Sequence, residues 1–147
     1  MFKVVPGGRY RFRVIGNNIC SSVISIQGHS LTVIATDGSP VTPREVDRIG
    51  IYNGESFDFV LTADQSVDNY WFRFYSPDPT CASSNEGLAV LGYEGAHYEG
   101  DEPMEVFSDE NDGDAVFLNE LDSAGMSVYC KMVIITIKLK LSLFMQG

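Results

Sequence analysis

The sequence predicts an all-β domain of the sandwich or barrel type. Three observations carry that expectation. Apolar residues up to about residue 96 recur with period two rather than 3.6, the alternating runs are short, and Gly, Pro, Asn and Asp punctuate them. The chain has 147 residues, 44% of them apolar, 12% aromatic and 20% charged, the composition of one folded domain rather than of a disordered chain. A chain of that length buries roughly 68–70% of its unfolded surface.

Seven strands are expected in order. In Arg9–Val14 the arginines Arg9, Arg11 and Arg13 fall on one face and Tyr10, Phe12 and Val14 on the other, the pattern of a half-buried strand. Val23–Ile26 and Leu31–Ala35 flank the turn residues Gln27, Gly28, His29 and Ser30, which predicts a hairpin. Asp37, Gly38, Ser39 and Pro40 make the next break. Val46–Ile51 follows, and Asn53-Gly54 turns the chain into Phe57–Leu61. Asn69–Tyr75 is the most aromatic strand, with Tyr70, Phe72 and Phe74 on one face, and Leu88–Tyr93 closes the series. No helical pattern separates them.

Charge divides the chain further. Net charge is −10, yet all the excess lies between Glu99 and Asp122, where ten acids stand without a base. Such a block repels itself and stays solvated. The expected organisation is therefore a β domain over 1–96, an acidic linker over 97–125 and an atypical strand-like tail over 126–147. In the tail Ile135, Ile137, Leu139, Leu141 and Leu143 alternate with Thr136, Lys138, Lys140 and Ser142. That strand needs a sheet edge to dock on, or it is an aggregation hazard guarded only by its lysines.

The same numbers exclude several functions. An acidic chain lacks the basic footprint of a nucleic-acid binder. No apolar run reaches the roughly 18 residues of a membrane helix, and Met1-Phe2-Lys3 is too quickly charged to open a secretory signal. No G-x-x-x-x-G-K-[ST], G-x-S-x-G, C-x-x-C or N-x-[ST] motif occurs. Around Ser108–Asp114, placing Gly113 at position six of a calcium loop puts Asn119 twelfth and Glu120 one place late, so a charged linker is the better reading. His29 is read as a turn residue bonded to backbone and His97 as a solvated linker residue, neither a site. Arg9, Arg11 and Arg13 are read as a solvated or interdomain face. Glu45, Asp47, Glu55 and Asp58 are read as turn and salt-bridge residues rather than paired catalytic carboxylates.

Several runs are more specific. Tyr10-Arg-Phe-Arg-Val14, Ser25-Ile-Gln-Gly-His29, Leu31-Thr-Val-Ile-Ala-Thr-Asp-Gly38, Glu45-Val-Asp47, Gly54-Glu-Ser-Phe-Asp-Phe-Val60, Asn69-Tyr-Trp71 and Leu91-Gly-Tyr-Glu-Gly95 stand in one order over residues 2–96. In that order and spacing they resemble the second, copper-free domain of laccase-type multicopper oxidases, in wording nearest the arthropod type. The resemblance implies a cupredoxin-like, Greek-key β-sandwich flanked by two copper-binding cupredoxin domains. It implies a secreted parent enzyme that oxidises diphenol-type substrates and reduces O2 to water, with ferrous iron or ascorbate as other substrates of such enzymes. This chain holds no His-x-His pair and no histidine near a cysteine, so copper is expected in the parent and no cofactor in this chain. The expected role is a fragment that spaces the copper domains and walls one side of the substrate cleft; the alternative is a stand-alone, non-catalytic β-sandwich module.

The resemblance also implies a disulfide at Cys20, either to the first domain or to Cys81, which lies 61 positions on and would close a loop worth about 4 kcal/mol. Cys130 is left over in the tail. After Cys20 the family often carries an acidic residue that accepts a phenolic proton; here Ser21 and Ser22 stand, and a hydroxyl cannot take that role. Gln27 likewise replaces an aspartate common before the family's Gly-His.

Overall fold

The computed structural model describes residues 1–17, 19–78, 80, 86–97, 115–123 and 133–140, the last as backbone. Two five-stranded sheets face one another. The first runs in the order β1-β9-β8-β3-β6, from β1 (Phe2–Val4), β3 (Ser22–Ile26), β6 (Arg48–Ile51), β8 (Asn69–Tyr75) and β9 (Glu86–Tyr93). The second runs β10-β2-β7-β4-β5, from β2 (Arg9–Asn17), β4 (Leu31–Thr36), β5 (Ser39–Val46), β7 (Ser56–Thr62) and β10 (Val133–Lys140). The all-β, cupredoxin-like sandwich expected from the sequence is the observed fold.

The period-two pattern decides which face of each strand is inside. Tyr10, Phe12 and Val14 of β2 are buried, as are Phe57, Phe59 and Leu61 of β7, and the register sets Phe12 opposite Phe59. Those two rings stack 5.2 Å apart at 5°, while Phe2 and Phe72 approach Phe12 from the other sheet at 5.9 Å. Aromatic pairs at such spacings add to area burial by roughly 0.5–1.5 kcal/mol each.

Two sequence expectations change. The strands around Gln27–Ser30 do not form a hairpin. His29 N–H bonds Ile26 O at 3.1 Å to close a tight turn, but β3 then pairs with β6 and β8, while β4 pairs with β5 and β7 in the opposite sheet. Each strand has two better-matched neighbours, so the turn is a crossover between layers. The break at Asp37–Pro40 is shorter than expected, because β5 starts at Ser39 and runs through Pro40 and Pro43. A proline forfeits one ladder donor, which an edge strand such as β5 tolerates. Nine strands therefore precede residue 94, against the seven expected.

Residues 115–123, inside the segment expected to be an acidic linker, lie against the sandwich. Val116 N–H bonds Arg48 O at 3.2 Å, and Gly50 N–H bonds Val116 O at 2.9 Å. Thr42 N–H bonds Asp122 O at 2.8 Å, and the Arg44 guanidinium donates to Glu120 O at 2.9 Å. One 3-10 turn, Leu118–Glu120, sits between these anchors, and Leu118 and Leu121 pack on the core. The segment thus straps the edge strand of each sheet, β6 in one and β5 in the other. In the tail, β10 lies parallel to β2 through eight paired positions, from Val133 opposite Tyr10 to Lys140 opposite Asn17. Among the described residues no helix is long and apolar enough to cross a membrane. Ser108–Asp114 lies outside the described residues.

Candidate functional site

The densest polar chemistry in the interior gathers around His29. Gly28 takes φ +69°, which lets the crossover turn fold back and carry the imidazole inward, where it is 6% exposed. Nδ1 lies 2.6 Å from the Gln27 carbonyl and Nε2 lies 2.7 Å from the Tyr93 hydroxyl. A carbonyl only accepts, so Nδ1 carries the hydrogen and Nε2 accepts from Tyr93. The Tyr93 oxygen in turn accepts from Gln65 N–H at 3.2 Å. Tyr70 meets both rings edge-on, 4.8 Å from His29 and 5.3 Å from Tyr93. Burial lowers the His29 pKa below its ordinary 6.5, opposed by the Gln27 carbonyl and by the charge of Asp64. Burial also raises the Tyr93 pKa. The backbone bond expected for His29 is there; its burial and its tyrosine partner were not foreseen.

Tyr93 also lines a cleft of about 660 Å³ between Met1–Val5 and Gly92–His97. Lys3, Asn69, Glu94 and His97 supply its polar wall, and Asn69 donates to the His97 carbonyl at 3.2 Å. Met1 and Val5 at its rim are more than half exposed. His97, read as a solvated residue, is exposed and stands at this rim.

The arginine face is more constructed than a solvated strand face. Asp58, opposite Arg13 across the β2–β7 ladder, is buried and receives two guanidinium groups. Arg13 donates to both carboxylate oxygens at 2.7 Å and Arg11 closes on the same carboxylate. Burial opposes ionisation of Asp58, but the two arginines outweigh it and hold its pKa below the ordinary carboxylate value. The salt-bridge reading of Asp58 therefore holds in a buried setting. Glu55 serves its turn, accepting from Tyr52 N–H at 2.9 Å.

Cys20 is disulfide-bonded. Its partner is not among the described residues, and Cys81 and Cys130 both lie outside them. Ser22 is buried at the start of β3. Gln27 holds the crossover to β8, its side-chain oxygen accepting from Trp71 N–H at 3.2 Å. An aspartate at that position could accept the same bond, so the replacement keeps the structural function.

The described residues do not fit a copper ion. A copper site needs several imidazoles or a thiolate converging with free lone pairs. Both ring nitrogens of His29 are engaged and Cys20 is tied in a disulfide. No group of three or more potential ligands forms among the described residues.

Comparison with known proteins follows the same outline. Residues 1–96 match the family model described as multicopper oxidase. A laccase of Phlebia radiata is 42% identical over 100 residues, covering 65% of this chain and 19% of that protein. Laccase-1 of Pleurotus ostreatus is 42% identical over 101 residues, covering 65% and 18%. Among solved structures, the laccase from Botrytis aclada aligns with a TM-score of 0.54 at 31% identity, over 62% of this chain and 18% of that one. Fet3p, a multicopper oxidase that functions in iron import, aligns with a TM-score of 0.64 over 88% of this chain and 25% of its own. At 18% identity that last likeness is one of fold. The chain spans about a fifth of the length of the laccases it matches.

Proposed function

Because this chain belongs to the multicopper oxidase family, we propose that it is the central, copper-free domain of a laccase-like enzyme, a spacer that clamps the flanking copper domains and walls the substrate cleft. The parent would oxidise diphenol-type substrates one electron at a time and reduce O2 to water. One observation carries the assignment: the family match covers the nine strands from β1 to β9, in which the buried histidine, His29, and Cys20 are already engaged in the domain's own structure. The exposed Met1 and Val5 beside the cleft suit a surface that a sister domain covers. A disulfide at Cys20 suits the oxidising compartment of a secreted enzyme, and Cys81 is the proposed partner. The relatives named above are fungal, so the arthropod-type wording of the motifs adds nothing to this proposal.

Two measurements test it. Sequencing the transcript beyond both ends should find His-x-His domains in frame on either side. The purified chain should carry no stoichiometric copper by plasma mass spectrometry and show no blue absorption; one tightly held ion per chain overturns the copper-free assignment.

One observation favours the alternative, a stand-alone β-sandwich without catalysis. The tail supplies β10, whose ladder covers the edge of β2 from within the chain and makes β10 the outer strand. A stop directly after Gly147, a start at Met1 and a stable monomer would together establish that reading.

A further inference from the structure

We propose that Tyr93 and His29 form a proton-coupled redox pair, Tyr93 being the position at which this domain gives up one electron to a radical oxidant. The geometry supplies what a phenol needs for that step. Removing an electron from a phenol makes its O–H strongly acidic, so the electron leaves readily only where a base waits on the hydrogen bond. Nε2 of His29 is that base, 2.7 Å from the Tyr93 oxygen, with its tautomer fixed by Nδ1–H on the Gln27 carbonyl at 2.6 Å. The acceptor is neutral because burial outweighs the groups that favour its charge, the Gln27 carbonyl and Asp64. Once the proton arrives, those two groups steady the imidazolium. Tyr70 contacts both rings edge-on.

The step balances. The Tyr93 O–H bond breaks, its electron passes to a one-electron oxidant such as a small phenoxyl radical, and its proton moves to His29 Nε2. The oxidant becomes a phenolate, Tyr93 a neutral radical and His29 an imidazolium. The wall of the cleft formed by Tyr93 brings such an oxidant within electron-transfer range without burying it.

No other tyrosine among the described residues is so placed. The Tyr70 hydroxyl donates to the Ser66 carbonyl at 2.8 Å, which cannot take a proton. Tyr10 accepts from Val5 N–H at 2.6 Å. Tyr75 accepts from the Arg48 guanidinium at 3.2 Å and lies under Arg73 at 4.5 Å, so two cations oppose a positive hole there. Tyr52 is half exposed and meets Phe117 at a tilt. The pair lies wholly within residues 1–96 and does not depend on whether the chain is part of a larger oxidase.

The test is oxidation of the full chain with hexachloroiridate(IV), freeze-quenched and read by electron paramagnetic resonance. A tyrosyl signal is expected that survives Tyr70→Phe and is lost in Tyr93→Phe. His29→Gln should also lose it, since an amide keeps a hydrogen bond but accepts no proton, and a merely structural histidine would leave the radical yield unchanged. Trapping on the unaltered chain with a nitroso compound, followed by peptide mass mapping, guards against a variant that fails to fold; the adduct is expected on Tyr93. An adduct on Trp71, Tyr75 or another residue, an undiminished radical in Tyr93→Phe, or no radical at all overturns the proposal.

Discussion

Gly50 and Phe117 share one site: a Cβ added to Gly50 would lie 2.3 Å from the nearest ring carbon of Phe117. The ring lies across the bare backbone of β6 and meets Tyr52 at a tilt, 5.2 Å between centroids, while Gly50 N–H bonds the carbonyl of the neighbouring Val116. The strap over residues 115–123 is seated at this point on the first sheet and at Thr42 and Arg44 on the second.

Gly50→Ala should therefore unseat Phe117 and loosen the strap. The expected cost is about 1–3 kcal/mol, the usual penalty for forcing volume into a filled site. Thermal unfolding should show the loss, and limited proteolysis should cut near residues 115–123 faster than in the parent chain. Phe117→Ala is the control, since it should free the strap without crowding β6. Unchanged proteolysis in both variants would show that the strap is held elsewhere.

Asp58→Asn should be far more costly than removing Arg13. Asp58 is buried and is clamped from two sides, so its loss leaves Arg11, mostly buried, beside an uncharged amide. Breaking a buried pair by one partner costs roughly 3–5 kcal/mol. The Arg13 side chain is 41% exposed, and Arg13→Ala should cost about 1 kcal/mol or less in solvent-screened surroundings. Denaturant titration of the two variants gives the ratio. The folded-state pKa of Asp58 lies below its ordinary 3.8, so its contribution is complete above that pH and is lost as acid carries it through the folded value.

How much of this was legible in the sequence follows from the range of the forces involved. Tyr10, Phe12 and Val14 declared their buried face because strand geometry alternates side chains strictly, whatever the fold. Pro40 and Pro43 hid β5, because proline marks a turn unless the strand lies at an edge, and edge position is a property of the whole sheet. The Gln27–Ser30 turn was visible, but not that its strands part into opposite sheets, since that depends on partners as distant as β6 and β8. Asp58 was legible as a salt-bridge residue but its partners were not; only the cross-strand register puts Arg13 opposite it. The Tyr93 partner of His29 stands 64 positions away and left no local signal.

His29 should make stability depend on pH in a defined direction. Its unfolded pKa is near the ordinary 6.5 and its folded pKa is lower, chiefly through burial. The unfolded chain therefore binds more protons between the two values, so the contribution is complete above 6.5 and declines as pH falls below it. Urea unfolding at about pH 7.5 and about pH 5.5 should give a lower midpoint in acid, and His29→Gln should remove most of that difference. Equal pH dependence in the two chains would place the sensitivity at another group.

The strand β10 gives the sharpest contrast between a domain cut from an enzyme and a self-contained module. Removing residues 124–147 leaves β2 as an edge strand of nine residues with its outer row of N–H and C=O groups unmatched. Tyr10, Phe12 and Val14 would stay in the core, so the sandwich should still fold, but the bared edge is a template for pairing between molecules. The truncated chain should therefore associate on gel filtration at concentrations where the full chain stays monomeric. Ile137→Pro, which strikes β10 without shortening the chain, should reproduce that shift by spoiling the ladder in its middle. A truncated chain that remains monomeric would mean that β10 does not protect the edge in solution, and the case for a self-contained module would lose its main support.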